Sequence, residues 1–149
     1  MTTLFSKIIA GDVPGRFLWA DDEVVVLSTI APITPGHALV VPRAEVSEFT
    51  DADDALLGRL MAVAKTVGRA QKLAFGSPRA ALLVAGFEVP HLHLHVLPAW
   101  GEAELSFANA KHDASAAELD DAAHRVRAAL RELGAGENVP DDLGTLPRG

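Results

Sequence analysis

The chain has no cysteine among its 149 residues. That excludes disulfides, thiol nucleophiles and any zinc site built on thiolates. A reducing cytoplasm is compatible with such a composition. No apolar run approaches the ~20 residues of a membrane span. The opening stretch MTTLFSKIIAGD lacks the charged and then apolar segments of a secretory signal. The expectation is a cytoplasmic protein without a membrane partner. Basic residues are few and scattered, 13 against 20 acidic ones, with a net charge of −7 and a pI near 5.2. Binding to a nucleic acid needs a clustered basic footprint, so no nucleic-acid partner is expected. A small anion is a different matter, because backbone N–H groups and imidazoles hold phosphate without a basic surface.

What is present suits a folded domain. Hydrophobic residues make up 49% and charged residues 22%, the usual globular balance. A chain this long buries a core without metal or disulfide staples. One domain over residues 1–134 is expected. Residues 135–149, rich in Gly, Pro and Asp, read as a mobile tail.

Along the chain, residues 4–10 read as a short helix stopped by Gly11, with Pro14 beyond. Residues 16–30 read as two strands joined at Asp21-Asp22. A loop over 31–36 leads into a strand over 37–42. The clearest helix spans 50–75, capped by Thr50 or Asp51, with Leu57, Leu60, Met61, Ala64, Val67 and Gln71 along one face. Strands follow at 79–86 and 91–98. A last helix opens at the capping-box pattern Ser115-x-x-Glu118 and continues through Leu119, Ala122, Val126, Leu130 and Leu133. The strand pairs are joined by connections too short for parallel crossovers. The pattern predicts an α+β fold: an antiparallel sheet of about five strands, one long central helix and a C-terminal helix.

The densest chemistry lies in HLHLHVLP, residues 91–98. In a strand, alternate side chains share a face, so His91, His93 and His95 stand together while Leu92, Leu94 and Val96 face the core. Same-face neighbours are about 6.6 Å apart along the strand. Two such rings can reach one zinc ion, but three strain to do so, since zinc needs its nitrogens at about 2.0–2.1 Å. Chelation would need ligands from elsewhere, and a merely solvated row of imidazoles is the plainest alternative. Clustered rings disfavour protonation. A neutral imidazole is both nucleophile and proton carrier, which suits attack on phosphorus with a neighbouring ring assisting departure.

These residues resemble the H-φ-H-φ-H-φ-φ signature, φ apolar, of the histidine triad family. PITPGHALVVPR (32–43) and FSKIIAGDVP (5–14) resemble two further segments of that family. The resemblance covers about residues 4–100 and implies a homodimer whose two sheets join. It implies cleavage at the α-phosphate of a purine nucleoside phosphoramidate, acyl nucleotide or dinucleoside polyphosphate. His93 would carry the nucleotidyl intermediate and donate its other ring nitrogen's proton to the His91 carbonyl. His95 would assist the leaving group, and His37 would support His91. No cofactor or metal is implied for the chemistry. Gly86, Phe87, Glu88 and Val89 would meet the phosphate and leaving group, and Thr29 the ribose. Leu27 and Ile30, with Phe17 and Trp19, are candidates for the base pocket. Trp100 would reach a neighbouring site across the dimer.

This chain departs from the family pattern in three places. Glu88 stands where many members carry a small hydroxyl residue. The usual Asn-bearing loop is shortened to Val84-Ala85-Gly86. Thr29 stands where an acidic residue commonly grips ribose. Thr3 and Ser6 replace the cysteines that hold structural zinc in some members, so that zinc site is not expected. His112 and His124 read as surface residues. Two other functions stay open: a nucleotide-binding regulatory module with little turnover, and a histidine-based metal-binding protein.

Overall fold

The computed structural model describes residues 2–147. Its centre is a five-stranded antiparallel sheet: β1 (Phe17–Ala20), β2 (Val24–Ser28), β3 (Ala38–Pro42), β4 (Arg79–Leu83) and β5 (Leu94–Ala99), in spatial order β1-β2-β3-β5-β4. Three helices complete it: α1 (Leu4–Ala10), α2 (Asp54–Phe75) and α3 (Ala116–Glu132). The central strands VVVLS and ALVVP are β-branched and almost wholly buried. Continuous apolar runs of this kind mark strands covered on both faces.

The two faces carry different helices. Val24, Val26, Val40, Leu94 and Val96 pack with Leu60 and Val67 of α2 and with Val126 and Leu130 of α3. The intervening residues Val25, Leu27, Leu39 and Val41 point the other way, onto Phe5 and Ile8 of α1. Period-two alternation thus divides each strand between two cores. Phe17 and Trp19, candidates for a base pocket, are buried at 2% and 6% exposure, one in each core.

The long helix starts later than expected. Residues Phe49–Asp51 form a separate 3₁₀ turn, and Asp53 caps α2, its carboxylate accepting from the Leu56 N–H at 2.8 Å. Extended backbone at Ala52 separates the two. Of the expected apolar face, Leu60, Ala64, Val67 and Gln71 are buried, whereas Met61 is 53% exposed. Gln71 donates to Gly36 O at 2.9 Å and Val96 O at 2.7 Å, tying α2 to the loop before β3 and to β5. Gly36 has φ +87°, and a Cβ there would lie 2.3 Å from the Phe75 ring, so only glycine fits. Ser115 caps α3 as read from its pattern, accepting from the Glu118 N–H at 3.1 Å.

Part of the segment beyond Gly134, read as a mobile tail, packs back on the domain. Val139 is buried in the helix-side core, and the Phe17 N–H donates to Leu143 O at 2.7 Å. Buried Arg127 donates to Phe17 O, Pro140 O and Asp141 O, which straps this segment along β1. Arg127 needs those carbonyls, because a buried guanidinium without partners is costly. Residues 148 and 149 of the expected tail lie outside the described residues. No helix among the described residues is long and apolar enough to cross a membrane.

Candidate active site

The β-ladder reaches the histidines only in part. Pairing between β3 and β5 runs from Val40↔Leu94 through Leu39↔His95 to Ala38↔Val96. The strand therefore begins at Leu94, not at His91. Just before it, the Leu92 N–H donates to Val46 O at 2.6 Å and the His91 N–H to Val89 O at 2.8 Å, so this backbone is bonded outside the sheet. The alternation survives. Leu92, Leu94 and Val96 lie in the helix-side core, and the histidines stack on the α1 side. The His93 and His95 ring centroids are 4.8 Å apart. Phe5 of α1 sits edge-on to His91 at 5.6 Å and to His93 at 4.9 Å.

Hydrogen-bond partners fix each ring's tautomer, because a carbonyl only accepts and an amide N–H only donates. His93 Nδ1–H donates to His91 O at 2.7 Å, which leaves Nε2 with a free lone pair. His91 Nε2–H donates to Pro42 O at 2.7 Å, and the Thr3 hydroxyl meets His91 Nδ1 at 2.6 Å. The Ile33 N–H donates to His37 Nδ1 at 3.0 Å, so neutral His37 carries its proton on Nε2. That proton points to His95 Nδ1 at 2.9 Å, which leaves the His95 proton on Nε2. An acceptor on His93 and a donor on His95 therefore stand side by side.

His37 thus supports His95, not His91 as expected. The register explains it. Leu39 pairs with His95, so His37 is one same-face step from His95, while His91 lies toward the Pro42 end of β3. Burial keeps these rings neutral. It pushes His37 down to about 3, with the neighbouring His95 adding to the effect. It pushes His95 down to about 4, helped by His93. His93 is lowered by burial too, with its bond to His91 O and the charge of Glu88 opposing the shift.

A cavity of about 230 Å³ opens beside His95. Thr29, His37, Gly86, Phe87, Glu88 and His95 line it, together with Phe107, whose ring lies 4.8 Å from that of His95. His112 also lines it, though it was expected only at the surface; it is exposed and faces the same space. Thr29 is partly committed, its hydroxyl accepting from the Ala31 N–H at 3.2 Å. Val89 is half-buried against the α1-side core instead of lining the cavity. Leu27 is buried in that core. Ile30 is 75% exposed and Trp100 50% exposed, and neither lines the cavity. A second cavity of about 290 Å³ lies beyond the 32–37 loop, near Lys111 and Arg125, sharing only Thr29 and His37 with the first. Thr3, Phe5 and Phe107 touch the triad but were not singled out for that role by the sequence.

With this geometry in view, comparison with known proteins decides the family. The HIT domain model matches residues 10–101. The chain belongs to the histidine triad family. An uncharacterised HIT-like protein of Methanocaldococcus jannaschii is 36% identical across 68% of this chain and 83% of its own. A solved zinc-bound histidine triad family protein from Mycobacterium smegmatis superposes with a TM-score of 0.76 at 26% identity, over 89% of this chain and 95% of that one. A hypothetical histidine triad nucleotide-binding protein from Sulfolobus tokodaii also gives 0.76 at 25% identity, over 87% and 92%. Membership supports a nucleotide-binding hydrolase or transferase type of function in general terms.

Zinc does not suit the residues at Thr3 and Ser6. Their hydroxyls bond each other at 3.2 Å, and the Thr3 hydroxyl is already engaged with His91. Structural zinc takes thiolate, imidazole or carboxylate ligands. Hydrogen bonds from Ser6 and the Thr3 N–H hold the nearby Glu45 carboxyl below its ordinary range. Among the described residues, no group of three or more His, Asp or Glu is arranged to hold a metal ion.

Proposed function

We propose that this histidine triad protein cleaves a purine nucleotide at its α-phosphate, through a covalent nucleotidyl-His93 intermediate. One observation carries the reading: the free Nε2 of neutral His93 lies beside a His95 ring whose Nε2 holds a proton. His93 Nε2 attacks phosphorus, and the bond to the leaving group breaks. The departing atom keeps the electron pair and takes the His95 Nε2 proton, and the imidazolate this leaves is balanced by the positive charge the His93 ring gains on bonding phosphorus. Water then attacks phosphorus, the bond to His93 breaks, and the proton from water returns to His95. Another acceptor in place of water makes the same cycle a transfer. Each step uses only the imidazoles of the chain and water. Gly86, Phe87 and Glu88 line the same space, and backbone N–H groups of such a turn suit the charge developing on phosphate.

The substrate class is a nucleoside phosphoramidate, acyl nucleotide or dinucleoside polyphosphate. The protein acts in the cytoplasm as a homodimer. The far edge of β1 is strapped by residues around Leu143, whereas β4 is an edge strand with Leu82 37% exposed and Val84 just beyond it at 36%. An apolar, unpaired edge favours pairing with a second copy, which joins the two sheets and brings Trp100 within reach of a neighbouring site.

Turnover of an adenosine phosphoramidate by purified protein tests the reading. His93→Ala is expected to lose activity by about a thousandfold or more while its melting temperature holds. A fully active variant would sink the proposal. A second reading, a nucleotide-binding module with little turnover, is favoured by Glu88 alone, whose charge opposes phosphate. Calorimetry showing AMP binding without turnover on any of the three substrate types would select it. Metal binding by the triad is disfavoured, because both nitrogens of His91 and of His37 are already engaged.

A further inference from the structure

We infer that Glu88 makes this site selective for a small leaving group carrying a positively charged nitrogen. The inference rests on the catalytic reading above and adds the chemistry of the departing group. His95 is the ring holding the proton to be delivered, so the leaving group occupies the cavity beside it. That cavity is about 230 Å³, below the roughly 300 Å³ at which pockets for drug-sized ligands begin. Its lining holds one carboxylate, Glu88, and no lysine or arginine. Glu88 enters none of the ion pairs among the described residues. Its charge reaches far enough to act on His93.

These features favour one class of leaving group over the others. A polyphosphate brings two or more negative charges into a space without a fixed cation, next to a carboxylate. A neutral amine leaves Glu88 facing the α-phosphate with nothing between them. An ammonium group on the leaving group lies between the two charges and satisfies both. Phe107, 45% exposed and with its ring 4.8 Å from that of His95, lines the same cavity and adds an aromatic surface that attracts a cation. The favoured substrates are nucleotides whose leaving group is a short diamine joined through one nitrogen. In the diamine case the P–N bond breaks, the bonded nitrogen takes the His95 proton, and the second nitrogen stays charged throughout.

The test uses the full chain and three adenosine 5′-phosphoramidates of matched length. Their amines end in a methyl, an ammonium or a carboxylate. For the unmodified protein, kcat/KM is expected to fall in the order ammonium, methyl, carboxylate, by about five- to tenfold per step. Glu88→Gln should bring the three within about twofold, and Glu88→Lys should reverse the order. Glu88 is exposed on its loop, so these changes leave the packing alone. Equal rates on all three substrates, or an order unchanged in Glu88→Gln, would overturn the role of Glu88 while leaving the catalytic reading standing. No turnover of these three, of an acyl adenylate or of a dinucleoside polyphosphate would overturn the catalytic reading itself, and turnover of the latter two alone would overturn this inference.

Discussion

Two neighbouring stretches of this chain differ sharply. Residues 91–99 are buried at every position but one, and three of the four ring nitrogens of His91 and His93 are bonded. Residues 84–88, just upstream, are mostly exposed, with Phe87 at 98%, and form no strand. In the proposed cycle the first stretch sets the chemistry, since burial and fixed partners determine which nitrogens hold a proton and which a free lone pair. The second sets what the chemistry meets, since an exposed turn changes its side chains at little cost to stability.

The comparison is best strained by changing both stretches. His93→Ala is expected to remove turnover on every substrate, whereas Glu88→Gln is expected to redistribute rates among substrates. Stability should divide the same way. Gly36→Ala forces a side chain into the Phe75 ring at a left-handed backbone position beside His37. It should cost about 2–4 kcal/mol in urea unfolding. A variant as stable as the parent would show that the loop before β3 is not pinned as described.

Acid should act on the buried stretch as well. His37 and His95 sit at about 3 and about 4 in the folded chain, below the 6.5 of an ordinary histidine. Between those values the unfolded chain binds more protons than the folded one, so stability rises with pH. The contribution is complete above about pH 6.5 and is lost as pH falls toward 4. Unfolding midpoints at pH 7.5 and 5 check it, and a higher midpoint at pH 5 contradicts it. The smallest effect is expected at Thr3. Thr3→Val removes the hydroxyl on His91 Nδ1, and His91 O in turn holds His93. A loss of about three- to tenfold in kcat with KM little changed is expected. An unchanged kcat would show that Pro42 O alone holds His91.

Much of this was legible in the sequence, for physical reasons. The alternation of His and Leu divides two faces whatever the exact strand boundary, so the triad could be read although β5 starts only at Leu94. The apolar, valine-rich runs at 24–27 and 38–41 could be read as strands, while their central place in the sheet could not. Contacts that depend on long-range register were not legible. That His37 meets His95 follows from Leu39 pairing with His95, which no local pattern encodes. The burial of Val139 depends on Arg127 finding carbonyls in the same segment. Phe107 and His112 reach the cavity from a stretch without a recognisable pattern.

The central claim is that His93 becomes covalently nucleotidylated. Rapid acid-free quenching during turnover of a substrate radiolabelled at the α-phosphorus tests it most directly. The account predicts protein-bound label that is acid-labile and base-stable, absent from His93→Ala, and appearing at least as fast as product. Turnover with no label on the protein on the timescale of one cycle, or equal label on His93→Ala, would contradict it.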